Sequence, residues 1–251
     1  MRRLARACET LEDKSKRILD IALEYVFNSH EYFTKTFKGA FGITPDEYRN
    51  NPVRLNQIMK PDLLIGYTIV DENVPLVADG IVLEISRKTL GVPELYIGYS
   101  APVSMSEQTP LGETTGIDVP GQLWDSFHKM KDGVKGLAPN GIEFAASTFG
   151  DYEDGRFNYF VGATATLSTT TYDDFVTYEL PAADYIVCSI EAENITELTT
   201  STLGKSMNYL FGTWLPKHNL STQPFSAEKY VTVTHEMCKM ELWVIPVPIK
   251  E

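Results

Sequence analysis

Cysteine is scarce: the 251 residues hold three, Cys8, Cys188 and Cys238, far apart and without C-x-x-C spacing. That excludes a disulfide framework and a zinc ribbon, and leaves buried, reduced thiols. No apolar run approaches the roughly 20 residues that cross a bilayer, and the opening MRRLARACETLEDK has no apolar signal core, so a cytoplasmic chain with no membrane partner is expected. There is no P-loop, no dinucleotide fingerprint and no G-x-S-x-G elbow, and no cofactor is expected. His235 and Cys238, in THEMCK, have no further ligands beside them, so no metal site is expected either. The acidic run DYEDG (151–155) lacks EF-hand spacing and reads as a hairpin turn.

Charge of one sign is missing from most of the chain. Residues 1–60 carry eleven Lys and Arg against eight Asp and Glu, a balance of +3, whereas the remainder carries eleven against 26, a balance of -15. Phosphate contacts therefore belong to the front, while the acidic remainder repels nucleic acid and suits neutral or cationic partners. The length allows two domains.

In the front, Ile18, Ile21, Ala22 and Tyr25 recur at helical spacing. Asn28 or Ser29 then offers an N-cap for a second helix whose apolar face is Phe33, Phe37 and Ala40. His30, Thr34 and Lys38 form a separate polar face of that helix, flanked by Glu31 and Lys35. Such a pattern fits a DNA-reading helix and equally the solvated surface of a small helical hairpin.

The strings RRLARACETL and ILDIALEYVFNSHEYFTKTFKGAFGITPDEYR resemble the second half of the AraC/XylS-type DNA-binding region, over about residues 2–49. The resemblance implies that His30, Glu31, Tyr32, Thr34 and Lys35 read the major groove of double-stranded DNA, with Lys38 and Arg49 near its backbone. In that family two helix-turn-helix units are joined by a long helix. The match begins on the joining helix, so an incomplete DNA-binding region, and weak or incomplete DNA binding by this chain alone, is expected. The residue before Phe27, usually glycine in the family, is Val26 here; a β-branched residue resists positive φ, so an altered corner is expected.

NNPVRLNQIMKPD (50–62) has two prolines and no sustained apolar face and marks the junction. The expected organisation is a helix-turn-helix segment over 1–52, a linker over 53–74 and an α+β domain over 75–251. The last is an approximate duplication. Its first copy runs from a strand at 80–88, through a helix at 121–137, to strands at 142–148 and 156–166. The second runs from a strand at 183–193, through a helix at 201–215, to strands at 227–235 and 238–247. Leu203, Met207, Leu210, Phe211 and Trp214 mark the second helix's core stripe.

On the last strand Cys238, Met240, Leu242 and Val244 alternate as an apolar face that must cover the helices, leaving Lys239, Glu241, Trp243 and Ile245 opposite. On the preceding strand Glu228 and Tyr230 share a face. Two acids and two aromatics on paired strands suggest a pocket where a flat or cationic compound stacks and meets a counter-charge. The same pattern also fits cross-strand aromatic packing beside solvated glutamates.

The duplicated body, with AEKY after the Trp-Leu-Pro of 214–216 and the closing MELWVIPV, resembles the GyrI-like effector-binding domain over about residues 75–250. The resemblance implies two pseudo-symmetric strand-helix-strand-strand halves around an aromatic, acidic cleft that takes a small hydrophobic or cationic ligand. Glu241 and Glu228 stand at its E-x-W and E-x-Y positions. Aligning RFNYFVGA with KMELWVIP adds Phe160 and Asn158 from the first half. The function expected is a ligand-responsive transcription regulator; the alternatives are a small-molecule hydrolase using a pocket glutamate, or a sequestering module that has lost DNA binding.

Overall fold

The computed structural model describes residues 2–53, 69–78, 81–104, 118–134, 136–150, 155–166, 175–234 and 237–249. Residues 151–154 of the DYEDG run, His235 and most of the expected linker lie outside the described residues. The chain divides into two compact units, Met1–Lys60 with Ser104–Gln122, and Pro61–Val103 with Leu123–Glu251.

The front is four helices, α1 (Arg2–Leu11), α2 (Ile18–Glu24), α3 (His30–Phe41) and α4 (Pro45–Asn50). Leu4, Ala7 and Leu11 of α1 bury against Ile21, Ala22, Phe33, Phe37 and Ala40, so the expected apolar faces close on one another. The Ser29 side chain accepts from Tyr32 N at the start of α3, and Gly42, at φ 76°, ends that helix. Thr44 and Glu47 form a reciprocal capping box on α4. The corner before Phe27 keeps the left-handed conformation that glycine normally supplies. Val26 adopts φ 60°, its N–H bonds Leu23 O at 3.0 Å, and Phe27 N–H bonds Ala22 O at 2.8 Å. These two bonds are those of a Schellman ending. The corner is unaltered and the strain is carried by Val26.

The second unit is built on a nine-stranded sheet ordered β1-β2-β7-β10-β9-β4-β5-β3-β6. Its strands are β1 (Leu76–Ala78), β2 (Ile81–Leu90), β3 (Glu94–Ser104), β4 (Glu143–Thr148), β5 (Arg156–Thr164), β6 (Val176–Leu180), β7 (Ala183–Ala192), β9 (Phe225–Val233) and β10 (Cys238–Val244). A small second sheet pairs β8 (Leu220–Thr222) with β11 (Pro246–Pro248). The strand before the first helix, α5 (Val119–Met130), is β3. The expected one, at 80–88, is β2, which pairs with β7 of the second half, while β6 pairs with β3 of the first. Each half thus lends its first strand to the other.

That exchange dictates the shape of the sheet. β2 and β3 have five strands between them in sheet order, which would set them roughly 29 Å apart in a flat sheet. Their connection is residues 91–93, which reach at most roughly 14 Å. The sheet must therefore curl. β3 and β5, neighbours in the sheet, approach closely: a Cβ on Gly98 would lie 1.8 Å from Val161 O, and one on Gly162 2.3 Å from Ile97 O. Only glycine fits at this approach.

Helices cover the outer face. The second, over 195–217, contains two π-helical stretches, Leu198–Thr202 and Leu210–Trp214. Leu198, Thr202, Ser206, Leu210 and Trp214 are buried, a spacing of four that follows from an underwound helix. Leu203, Met207 and Phe211, expected in the stripe, are only partly buried at its flank. The outer core joins these helices to β2, β7 and β10 through Leu83, Ile85, Cys188, Met240 and Leu242. Burial pushes the Cys188 thiol up to about 12, which leaves it unreactive. The inner face is filled by Tyr96, Phe144, Phe160, Leu180, Tyr185 and Trp243.

Candidate functional site

The hairpin of β9 and β10 decides where the acids stand. In its register Met240 faces Tyr230, Glu241 faces Lys229, Leu242 faces Glu228 and Trp243 faces Ala227. Directly opposed residues project to the same side of a sheet. Glu228 and Tyr230 therefore share the outer, helix-covered face with Met240 and Leu242, whereas Glu241 and Trp243 point into the curl. The expectation that the four form one pocket is corrected by this register, because a shift of one residue carries every side chain to the other face. Phe160 belongs to the inner core, and Asn158, opposite Thr148 at the strand end, is partly buried on the same side.

On the outer face, Glu228 is 7% exposed. Tyr230 donates to its Oε2 at 2.9 Å and Tyr159 reaches the same oxygen at 3.5 Å. Trp124 of α5 donates its indole N–H to the Tyr159 hydroxyl at 3.4 Å and stands edge-on to Tyr230, with ring centroids 5.1 Å apart. Among the described residues no Lys, Arg or His pairs with Glu228. Burial pushes its carboxyl above the usual range, and the hydrogen bonds from Tyr230 and Tyr159 offset part of that. Burial likewise raises the Tyr230 hydroxyl, with the Glu228 charge adding to it. Spacing alone leaves open whether Trp124 and Tyr159 line the cleft; the structure places both beside this acid. Tyr159 alternates with Asn158 and Phe160 on β5, and the registers with Ser147 and through β4 put it on the Glu228 side.

Beside Tyr230 lies an open depression of about 480 Å³, lined by His128, Lys131, Gly141, Glu143, Tyr230 and Val233. At its rim Lys131 donates to Glu143 at 2.8 Å, and His128 Nε2 is 3.1 Å from the same carboxylate. Burial would raise Glu143, but hydrogen bonds from His128 and Lys131 outweigh it and hold the carboxyl below the ordinary range. The rim charge is answered within the protein, and that of Glu228 is not.

On the inner face Glu241, 8% exposed, accepts from the Trp243 indole at 3.0 Å and from Lys88 at 2.7 Å. Lys229, 4% exposed, holds its ammonium 3.8 Å from the Trp243 ring centroid and 2.6 Å from Glu94. Glu94 also accepts from the Tyr96 hydroxyl. Among the described residues no group that could hold a metal gathers on either face.

In the front, His30, Glu31, Tyr32, Lys35 and Lys38 are exposed on α3 and Thr34 is half-buried, opposite the buried Phe33 and Phe37. Arg49 is turned inward: its Nε donates to Leu11 O at 3.1 Å, at the end of α1, and its Nη2 is buried. It serves this small core where a phosphate contact was expected.

Residues 1–51 match a helix-turn-helix domain model, and residues 96–247 match the model of the GyrI-like small molecule binding domain. The chain is 48% identical over 50 residues to the probable transcription factor PqrA of Proteus vulgaris, covering 20% of this chain and 41% of that one. It is 38% identical over 72 residues to the right origin-binding protein of Escherichia coli strain K12, covering 29% and 25%. It thus spans less than half the length of these curated relatives. An integron cassette protein from the mobile metagenome of Vibrio cholerae superimposes with a TM-score of 0.48 at 15% identity, over 66% of this chain and 95% of that one. With a match across most of its curled sheet and both covering helices, the chain belongs to the GyrI-like small molecule binding domain family, and it carries a helix-turn-helix domain ahead of that module.

Proposed function

We propose that the chain is an effector-responsive transcription regulator. Its helix-turn-helix front contacts double-stranded DNA through His30, Glu31, Tyr32, Thr34, Lys35 and Lys38, and its body binds a small flat hydrophobic effector with a cationic or hydrogen-bond-donating end. The effector enters by the depression beside Tyr230 and meets Glu228, with Trp124, Tyr159 and Tyr230 as aromatic walls. One observation carries this reading: a buried carboxylate whose partners are hydroxyls rather than cations, one of them that of Tyr230, which lines an open depression. Such a group is incompletely compensated and favours a ligand that supplies positive charge or a donor. The acidic balance of residues 61–251 draws the same ligands. Glu241, Trp243, Phe160 and Asn158 are assigned to packing.

Regulation requires that the effector bind the DNA-competent and DNA-incompetent states with different affinity. The test is calorimetric titration of lipophilic cations and neutral aromatics into wild type, Glu228→Gln and Glu241→Gln, followed by DNA-binding anisotropy with any ligand found. Binding lost in Glu228→Gln and kept in Glu241→Gln supports the assignment, and the reverse pattern overturns it.

A second reading, hydrolysis of a small electrophile, is favoured by the raised carboxyl of Glu228 beside two tyrosine hydroxyls, the environment of a general base. Turnover abolished in Glu228→Gln supports it. Saturable binding without turnover removes it.

A further inference from the structure

The second acid–aromatic constellation, around Trp243, has the parts of a cation receptor: an indole face, two carboxylates and a phenolic hydroxyl. We propose that it is already occupied by the chain's own cation, Lys229, and that Lys229 is the residue that closes the inner face to external ammonium ligands and confines effector selection to the outer cleft.

Four observations support this. The Lys229 ammonium lies over the Trp243 ring at 3.8 Å, within the distance at which a cation is held by the ring quadrupole. Its counter-ion is Glu94, at 2.6 Å, a residue of β3 that reaches it across the curl and is itself oriented by Tyr96. Tyr96 in turn stacks on Phe144 with centroids 3.8 Å apart, so the carboxylate is held from behind by packed rings. The remaining acid, Glu241, is answered separately by Lys88, whose ammonium stands 5.5 Å from the same indole. Around this indole two carboxylates face two ammoniums, so neither Glu94 nor Glu241 is left for a guest.

The position of Lys229 also argues for a receptor-like fit rather than a surface pair. On the inner side of β9 its neighbour is Ala227, and opposite it across β4 stands Phe144. A long cationic side chain among alanines and rings buries its methylene stem along the core and delivers its charged head to a prepared spot. An external alkylammonium has the same shape and the same partners. The site therefore takes a primary alkylammonium when, and only when, the resident side chain is shortened.

This inference stands beside the effector reading and fails separately from it, because the outer cleft is read with Glu228→Gln. The experiment uses the full chain as wild type and Lys229→Ala, titrated with n-propylammonium, which replaces the atoms removed, and with n-propanol as a neutral isostere. Thermal unfolding and tryptophan fluorescence are followed. The expected result is a lowered melting temperature in Lys229→Ala, restored saturably by n-propylammonium, with wild type unresponsive and n-propanol without effect. Equal action of the two additives, no action of either on a folded variant, or an equal response of the wild type overturns the proposal. Should Lys229→Ala not fold, wild type with 13C-labelled lysine decides by NMR. One ε-methylene resonance strongly shifted upfield by an indole ring, and lost in Trp243→Leu, supports the resident cation, and its absence from the wild-type spectrum overturns it.

Discussion

The two faces of the curled sheet carry nearly the same inventory, one buried glutamate and a tryptophan with tyrosines each, and differ in what answers the acid. Inside the curl Glu241 and Glu94 are each matched by an ammonium from the same chain, and the rings interlock in a filled core. Outside, Glu228 is held by hydroxyls beside an open depression. An acid beside an indole is therefore not by itself a binding site. What separates a receptor from a piece of core is the internal counter-charge, because a compensated carboxylate gains little from a guest and an uncompensated one gains much.

The largest effect that would break this contrast is on effector affinity. Glu228→Gln should weaken a cationic effector by about 2–3 kcal/mol, or roughly 30–150-fold by calorimetry. Glu241→Gln should change it less than about twofold, within the scatter of distant substitutions. Equal losses in both would merge the faces again. Next in size is a stability effect of the opposite distribution. Trp243→Leu should cost about 3 kcal/mol of folding free energy, seen as a fall of roughly 10 °C in melting temperature, with effector affinity retained.

A pH series sharpens the comparison further. The raised carboxyl of Glu228 binds its proton more tightly in the folded chain than in the unfolded one. Its contribution to stability is thus present below the unfolded value of 4.5 and is lost as pH rises through the folded value. Glu143, held low, acts with the opposite sign: its contribution is present above 4.5 and lost as pH falls. Urea unfolding between about pH 4 and pH 7 should show wild type losing stability relative to Glu228→Gln as pH increases. Affinity for a cationic effector should rise over the same interval, since the ionised form is the one that attracts it. The smallest expected effect is a control outside both faces. Val26→Gly should stabilise the front by about 1 kcal/mol by relieving a β-branched residue at positive φ, without altering effector affinity.

Much of this was legible in the residues. The helical corner, the pairing of Phe33 with Phe37, the apolar side of β10 and both covering helices follow from periodicity, and each strand's own alternation is correct: Glu228 does share a side with Tyr230, and Glu241 with Trp243. The step that failed joins the two strands. Their relative side depends on the parity of the hairpin register, which is set by the turn after Val233 and by an irregularity between Lys239 and Met240. Neither is visible in composition. β3 and β6 were missed for a related reason, since their pairing partners lie far away in sequence and β6 is mostly exposed. In the second helix, a period of 3.6 was assumed where π-helical turns stretch it to four, which is how buried Thr202 and Ser206 escaped notice. Val26 taught the converse: an unfavourable residue did not displace a corner whose neighbours determine it.

The mutual loan of β2 and β6 has a kinetic meaning. Neither half can complete its sheet until the other has been synthesised, because β2 waits for β7, about a hundred residues later, and β3 waits for β6. Contacts of such long sequence separation close slowly and leave strand edges open meanwhile. A nascent first half therefore exposes an unpaired β3 that another copy's β6 could fill, so the topology that seals the inner face also exposes the chain to swapped dimers during folding.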